Sequence, residues 1–133
     1  MDELFGNVVY QYTRADAIDD GVLVDVSTMS KEAGIKYPVC MSIDSYTQYV
    51  ACEENTGDGQ SVDGRLWDVL YMMRVAMQGG PNVVRVIDKS TLIFQLYVVN
   101  QAKGEQELVE LKGMCHPGDE GEPVITIMMP NED

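Results

Sequence analysis

The sequence predicts an α+β fold in which a C-terminal antiparallel β-meander packs against one long buried helix, preceded by short helices and strands. Two observations carry this prediction. The segment "GRLWDVLYMMRVAMQGG" repeats apolar residues at helical spacing, and four strand-like segments follow it without a helical pattern between them. Strand runs that are segregated from helix runs are typical of α+β proteins rather than of doubly wound parallel sheets.

Short elements open the chain. In "YTRADAIDDGVLVDVS", Thr13 can cap a short helix by accepting a hydrogen bond from its first free amides, and Gly21 can end that helix in the left-handed conformation. "VLVDV" is rich in β-branched and apolar residues and predicts a strand. Ser27 or Thr28 is then placed to cap a second short helix that stops at Gly34.

The middle of the chain predicts a strand, a helix and a loop. Pro38 forces extended backbone on Tyr37 and on the entry to "VCMS". Ser42 can cap a helix over "IDSYTQYVACEE", in which Ile43 and Tyr46 share one face. The following stretch "ENTGDGQSVDG" has three glycines and no apolar periodicity, so it predicts a loop.

The long helix is the strongest single prediction. One apolar stripe consists of Leu66, Val69, Leu70, Met73 and Met77. A second face beside it carries Trp67, Tyr71 and Arg74. Because apolar residues cover most of the circumference, we expect this helix to be central and buried, and to end at "GGP".

The four segments after the helix predict strands. They read "VVRVI", "TLIFQLYVVN", "ELVELKG" and "PVITIMM". In the first, Arg85 separates Val84 and Val86, and in the third, Val109 and Leu111 alternate with Leu108, Glu110 and Lys112. This alternation predicts one face toward a core and one toward water. "NQAKGEQ" joins two of the strands within hairpin reach.

Length and charge bound the function. A chain of 133 residues suffices for one domain, residues 1–133, with a sizeable buried core. Its 22 acids against nine bases give a formal charge of −13, which repels phosphate backbones and anionic lipid headgroups. We therefore expect no direct binding to nucleic acid or membranes. The charge serves either solubility or a basic protein partner, such as a nucleic-acid-binding protein whose groove an acidic surface could occupy.

Three features indicate the cytoplasm. The opening "MDELFGNVVYQ" carries acids where an export signal needs a basic segment, and no stretch is long and apolar enough for a transmembrane helix. The cysteines Cys40, Cys52 and Cys115 form no CxxC pair, and we expect them to be reduced and to behave as small core residues.

Residues with reactive or metal-binding chemistry are sparse. Any catalytic triad must use His116, the single histidine, and its neighbour Cys115 is poorly placed because successive residues of a strand point to opposite faces. The cysteines are too scattered for zinc, and the acids at 119, 120 and 122 are interleaved with glycine as in a solvated turn. No phosphate-binding loop is present. We therefore predict no catalytic residue, no metal and no cofactor.

Four stretches resemble one known family. They are "YTRADAIDDGVLVDVS", "EAGIKYPV", "GRLWDVLYMM" and "HPGDEGEPVITIMMPNED", and they cover nearly the whole chain. Together they are similar to a family of small uncharacterised proteins with a domain of unknown function, which the resemblance assigns to bacteria and especially to their phages, plasmids and integrated elements. The positions that match its pattern are Arg14, Asp20, Gly21, Tyr37, Pro38, Gly64, Arg65, Asp68, Gly118, Asp119, Gly121, Glu122 and Pro123.

We expect the residues at the matching positions to have structural roles. Pro117 and Gly118 can reverse the chain, Asp119 can accept hydrogen bonds from nearby amides, and Pro123 can start the last strand. Arg14 and Arg65 are expected to form partly buried ion pairs with Asp20, with Asp68 or with the turn acids.

Three functional hypotheses follow. The first is a non-enzymatic acidic protein of a mobile element that binds another macromolecule, in its most specific form an inhibitor of a host nuclease or other DNA-binding protein. The second is a small enzyme or a ligand- or metal-binding protein that uses His116 and the acids of "CHPGDEGEP" in a pocket with Arg14 or Arg65. The third is an accessory oligomer, such as a homodimer.

Overall fold

The computed structural model describes residues 11–133, so the opening segment on which the export prediction rests lies outside the described residues. The helices are α1 (Arg14–Asp19), α2 (Ser27–Glu32), α3 (Ile43–Tyr49) and α4 (Val62–Met77). The strands are β1 (Leu23–Asp25), β2 (Val39–Ser42), β3 (Val83–Asp88), β4 (Thr91–Asn100), β5 (Glu105–Pro117) and β6 (Pro123–Met128). The mixed α+β class is confirmed.

The strands form one six-stranded sheet in the order β1-β2-β6-β5-β4-β3. Every neighbouring pair is antiparallel except β2 and β6, which run parallel with Cys40 opposite Thr126. That parallel pair joins the N-terminal strands to the C-terminal ones, and β1 and β3 are the two edges.

Most helix ends lie close to the predicted residues. Thr13 caps α1 and Ser42 caps α3, each through its side-chain oxygen, and Gly21 and Gly34 have the positive φ that was expected after α1 and α2. The predicted cap of α2 is wrong. That helix begins at Ser27, and its N-cap is Val26, whose side chain makes no capping hydrogen bond.

The core lies between the sheet and α4. Val69 and Leu70 of the helix and Phe94, Leu111 and Ile125 of the strands are completely buried. On the other side of α4, Trp67 and Tyr71 are 39% and 43% exposed, and their rings stack 6.2 Å apart. The expectation of a long, central, buried helix is therefore not confirmed, because the face of α4 that carries Trp67 and Tyr71 meets solvent.

Two strand predictions also need correction. Residues 84–88 of the edge strand β3 are all exposed, so neither face of the strand is covered by the core over this stretch. Lys112, which was expected to face water, is only 8% exposed, and its ammonium group donates to the main-chain carbonyl of Glu132. In residues 11–133, no helix has both the length and the apolar character needed to cross a membrane.

Candidate functional site

The turn between β5 and β6 fastens the start of α1. Both oxygens of Asp119 accept hydrogen bonds from the main chain of that helix: Oδ1 from the Arg14 amide at 2.8 Å and Oδ2 from the Ala15 amide at 3.0 Å. These amides belong to the first turn, which has no intrahelical acceptor for them. Asp119 therefore caps a helix more than a hundred residues away in sequence.

The turn itself is closed by hydrogen bonds among its own residues. The Gly118 amide donates to the Glu122 carbonyl at 2.6 Å, and the Glu122 carboxylate accepts from the Glu120 amide at 2.9 Å. A Cβ at Gly118 would lie 2.7 Å from that carboxylate, so a larger residue there would push the Glu122 side chain away from the position in which it accepts from Glu120. Gly121 has φ of +82°, which also favours glycine. These hydrogen bonds hold the reversal of the chain between β5 and β6, which is the structural role predicted for the turn.

Arg14 reaches from α1 onto β6. Its guanidinium donates to the Thr126 hydroxyl at 2.7 Å and to the Ile125 carbonyl at 2.8 Å. The predicted ion pairs of Arg14 and Arg65 are wrong for the part of the chain described, where the cation–carboxylate contact within 4.0 Å is that of Lys103 with Glu107. Neutral oxygens satisfy both guanidinium groups instead.

His116 extends the same hydrogen-bond chain. Its Nδ1 lies 3.1 Å from the Pro117 carbonyl and its Nε2 lies 2.8 Å from the Thr126 hydroxyl. Because a carbonyl only accepts, Nδ1 carries a hydrogen in this contact, and in the neutral imidazole Nε2 then accepts from the Thr126 hydroxyl, which itself accepts from Arg14. Thr126 is 5% exposed, so a substrate could reach this hydroxyl only by displacing Arg14 or His116.

The second hypothesis required the turn acids, His116 and an arginine to face a common pocket. Arg14, Asp119 and His116 do converge, but Asp119 and Glu122 are occupied by main-chain amides. Cys115 packs against the core while His116 faces Thr126, as strand alternation predicts. Among residues 11–133, no group of three or more His, Cys, Asp or Glu side chains is arranged to hold a metal ion.

Other matching residues lie at element ends. The Asp20 carboxylate accepts from the Tyr12 hydroxyl at 2.9 Å, and this hydrogen bond raises the pKa of Tyr12. The carbonyl of Pro38 accepts from the Ile125 amide at 2.9 Å, next to the start of β2, and Tyr37 packs against the core edge. The Gly64 amide donates to the Ser61 hydroxyl that caps α4.

Arg65 lies well apart from the β5–β6 turn and joins three elements. Its side chain is 8% exposed and donates from Nε to the Gln60 side chain at 2.9 Å. The other nitrogens donate to the carbonyl of Val99 in β4, at 2.5 Å, and to the carbonyl of Tyr49 at the end of α3, at 3.5 Å. Arg65 therefore fixes the beginning of α4 against β4 and α3.

Asp68 belongs to a second candidate site, which is a surface cavity. It lies on the rim of a cavity of about 470 Å³ between α4 and the far half of the β4–β5 pair, which we call the Tyr97 groove. The groove is lined on one side by Asp68, Tyr71 and Met72 of α4 and on the other by Leu96, Tyr97 and Leu108. Its volume is within the range of about 300–1,000 Å³ typical of binding cavities.

Charge and exposure distinguish the Tyr97 groove. Tyr97 and Leu108 are directly opposite each other on β4 and β5 and are 62% and 52% exposed. Within the described part of the chain, Asp68 is the only charged residue that lines the groove, and partial burial raises its pKa. Strand alternation correctly predicts Leu108 on the outward face, but no pattern in the sequence indicates that α4 leaves a cavity beside it.

The cysteines were predicted to be small core residues without disulfides. All three are free thiols, but only Cys40 is buried, whereas Cys52 and Cys115 are half-buried. Burial raises the pKa of the Cys40 thiol, which keeps it protonated and unreactive at neutral pH.

A comparison with family models matches the whole chain. The model described as "Family of unknown function (DUF6573)" covers residues 1–133. Neither a curated protein nor a solved structure matches the chain. The resemblance to a domain of unknown function is therefore confirmed over the full length.

Proposed function

The chain belongs to DUF6573, a family of unknown function, and from its own surface we propose that it acts without catalysis, by binding a basic protein. The observation that carries this proposal is the Tyr97 groove, an exposed apolar cavity whose single charged lining residue among those described is an acid. Apolar surface supplies affinity at interfaces, and complementary charge selects the partner and speeds association. A formal charge of −13 extends that selection over the whole molecule.

The partner class follows from the same charge. Proteins that handle nucleic acid present basic grooves to phosphates, and an acidic surface of this size can compete for such a groove. In its most specific form, the protein comes from a phage, plasmid or integrated element and inhibits a host nuclease or other DNA-binding protein in the cytoplasm. The sequence resemblance supports that setting, and the charge supports that target.

The test is direct binding to purified basic proteins. The full chain would be immobilised, and a panel of purified nucleases and other DNA-binding proteins would be passed over it at physiological salt, with and without competing duplex DNA. We expect at least one to bind, and to be displaced by DNA. Replacing Leu108 with glutamate should weaken this binding about tenfold or more, because it puts a charge into the apolar contact.

The matched control is Val22→Glu. Val22 is 48% exposed, close to the 52% of Leu108, and lies outside the Tyr97 groove, so this variant adds the same charge elsewhere. Its binding should change by less than about threefold, as expected for a charge outside the contact. Equal losses in the two variants, or a panel in which nothing binds, would contradict the proposal.

A second copy of the chain is the other candidate partner, and one observation favours it. The edge strand β3 exposes Val84, Val86 and Ile87, and residues 83–90 carry two cations against one acid, unlike the acidic remainder. An exposed apolar edge strand is a template for pairing. If copies pair here, sedimentation velocity will show a concentration-dependent dimer that Val86→Lys converts to monomer and Val22→Lys does not. A monomer at all concentrations would exclude this candidate.

A further inference from the structure

The open edge of β4 adds a second recognition element to the Tyr97 groove. Strand β3 pairs only with the first part of β4, and the last aligned pair is Val83 with Phe94. One residue further along β4, the Gln95 amide donates to the Asn82 carbonyl at 2.9 Å. No residue of β3 pairs with β4 beyond Gln95. The outer edge of β4 is therefore without a neighbouring strand from Leu96 to Asn100, in the part of the chain described.

The direction of the main-chain groups on this edge follows from two hydrogen bonds. The Gln95 amide points outward to Asn82, and the Val99 carbonyl points outward to Arg65. In an antiparallel pair, alternate residues direct both of their main-chain groups to the same side. Tyr97, midway between them, therefore directs its N–H and C=O outward, whereas Leu96 and Val98 bond to β5.

Tyr97 has no main-chain partner on the outer side among residues 11–133. Tyr97 lines the Tyr97 groove together with α4 residues and with Leu108, so the groove borders the strand edge toward which these two groups are directed. Asn82 closes one end of this edge and Arg65 closes the other. Between them, Tyr97 is the outward-facing residue whose N–H and C=O both have no main-chain partner among residues 11–133, so an added strand could pair both groups of one of its residues there.

We propose that the Tyr97 groove binds an extended segment of the basic partner as an added strand, with one residue of that segment hydrogen-bonded to both main-chain groups of Tyr97. The inference rests on the proposed function and specifies how the partner is held. Strand addition draws affinity from main-chain hydrogen bonds and specificity from alternate side chains. Here, the residue opposite Tyr97 packs on Tyr97 and Leu108, and its neighbours face Tyr71 and Met72.

Charge selects the residues that flank this segment. Asp68 stands on the α4 side of the groove, and exposed Glu110 lies opposite Gln95 on the same sheet face as Leu108. A lysine or arginine next to the apolar residues would meet one of these carboxylates. The occupant is thus a short β-strand-forming segment in which apolar and basic residues are close together, as the formal charge of −13 also favours.

The free protein offers the first check. Amide hydrogen exchange followed by NMR should be faster at Tyr97 than at Leu96 and Val98, because the flanking amides bond to β5. The probe for binding is the most enriched peptide from a displayed library of random heptapeptides selected on the full chain. Its binding should slow exchange at Tyr97 and leave Leu96 and Val98 unchanged.

Methylating the main-chain nitrogens of that peptide one at a time gives the decisive measurement. One methylation should lower affinity about tenfold or more, and methylation of either adjacent nitrogen should have little effect, because only one amide faces Tyr97. On the protein side, Tyr97→Pro should bind more weakly than Tyr97→Ala, since both lack the ring and only proline lacks the amide hydrogen. If Tyr97→Pro does not fold, the methylation series alone decides.

The outcomes separate the two proposals. Peptide binding that is lost in Leu108→Glu but is indifferent to every methylation, with no protection at Tyr97, would overturn strand addition and leave the proposed function standing. A library that yields no binder would also overturn strand addition. A selected peptide that behaves as expected, together with a panel in which no basic protein binds, would instead contradict the proposed partner class.

Discussion

Replacing Phe94 with alanine is expected to lower the free energy of unfolding by about 3–5 kcal/mol. Phe94 is completely buried, lies opposite Leu111 on β5, and belongs to the core between α4 and the sheet. Gly113 lies beside its ring and has no side chain to fill the space that alanine would leave. Domains of this size have about 5–15 kcal/mol of stability in total, so this one change removes a large share.

Urea denaturation measures this effect, and Tyr97→Ala is its matched control. Both changes remove an aromatic ring from β4, but Tyr97 is 62% exposed, and its loss should alter stability by no more than about 0.5 kcal/mol. The slope of the transition should be the same in both variants, since the fold is retained. Similar losses in the two variants would mean that α4 does not pack on this face of the sheet.

The parts of the fold that sequence could predict are those set by local chemistry. Thr13 and Ser42 cap their helices because a side-chain oxygen can bond to an amide three residues later, which is visible in a short stretch. The apolar residues Leu66, Val69 and Leu70 likewise recur at helical spacing, and all three are buried. No long-range contact is needed to recognise either pattern.

The parts that sequence could not predict depend on pairing between distant segments. Nothing in "VCMS" indicates that β2 runs parallel to β6, yet this pair connects the two halves of the sheet. Lys112 has an ordinary outward position in its strand, and it is buried only because the chain end brings the Glu132 carbonyl to its ammonium group. Position 112 carried no local signal of that contact.

The candidate site shows the same division. The resemblance singled out Arg14 and Asp119, but their meeting through the start of α1 depends on the strand order. Asp68 was also singled out, whereas Tyr97 and Leu108 looked like ordinary outward residues of a sheet. The Tyr97 groove lies where the pairing of β3 with β4 ends, at Gln95. The residue at which two strands cease to pair cannot be predicted from either strand alone.

Replacing Arg65 with methionine is expected to lower the free energy of unfolding by about 2–3 kcal/mol. Methionine fills much of the space of the aliphatic stem but donates no hydrogen bond, so the carbonyls of Val99 and Tyr49 lose the donor they share. Both hydrogen bonds are partly buried, and a buried carbonyl that is left without a donor costs about 1–3 kcal/mol, so we expect the lower part of that range for each carbonyl. Arg65→Lys should fall between, because an ammonium group cannot reproduce the planar fork that reaches Gln60 and Val99 together.

Arg85→Met is the matched control, because Arg85 lies exposed on the edge strand β3 and its loss should change stability by about 0.5 kcal/mol or less. Hydrogen exchange adds a local measurement. Without Arg65, β4 has lost the group that closes its outer edge at Val99, so the amides near residues 98–100 should exchange faster while those of β6 keep their protection. Two results together would contradict this prediction: Arg65→Met and Arg85→Met have equal stability, and amide exchange at residues 98–100 is unchanged in Arg65→Met. The buried guanidinium group would then not hold α4 to β4.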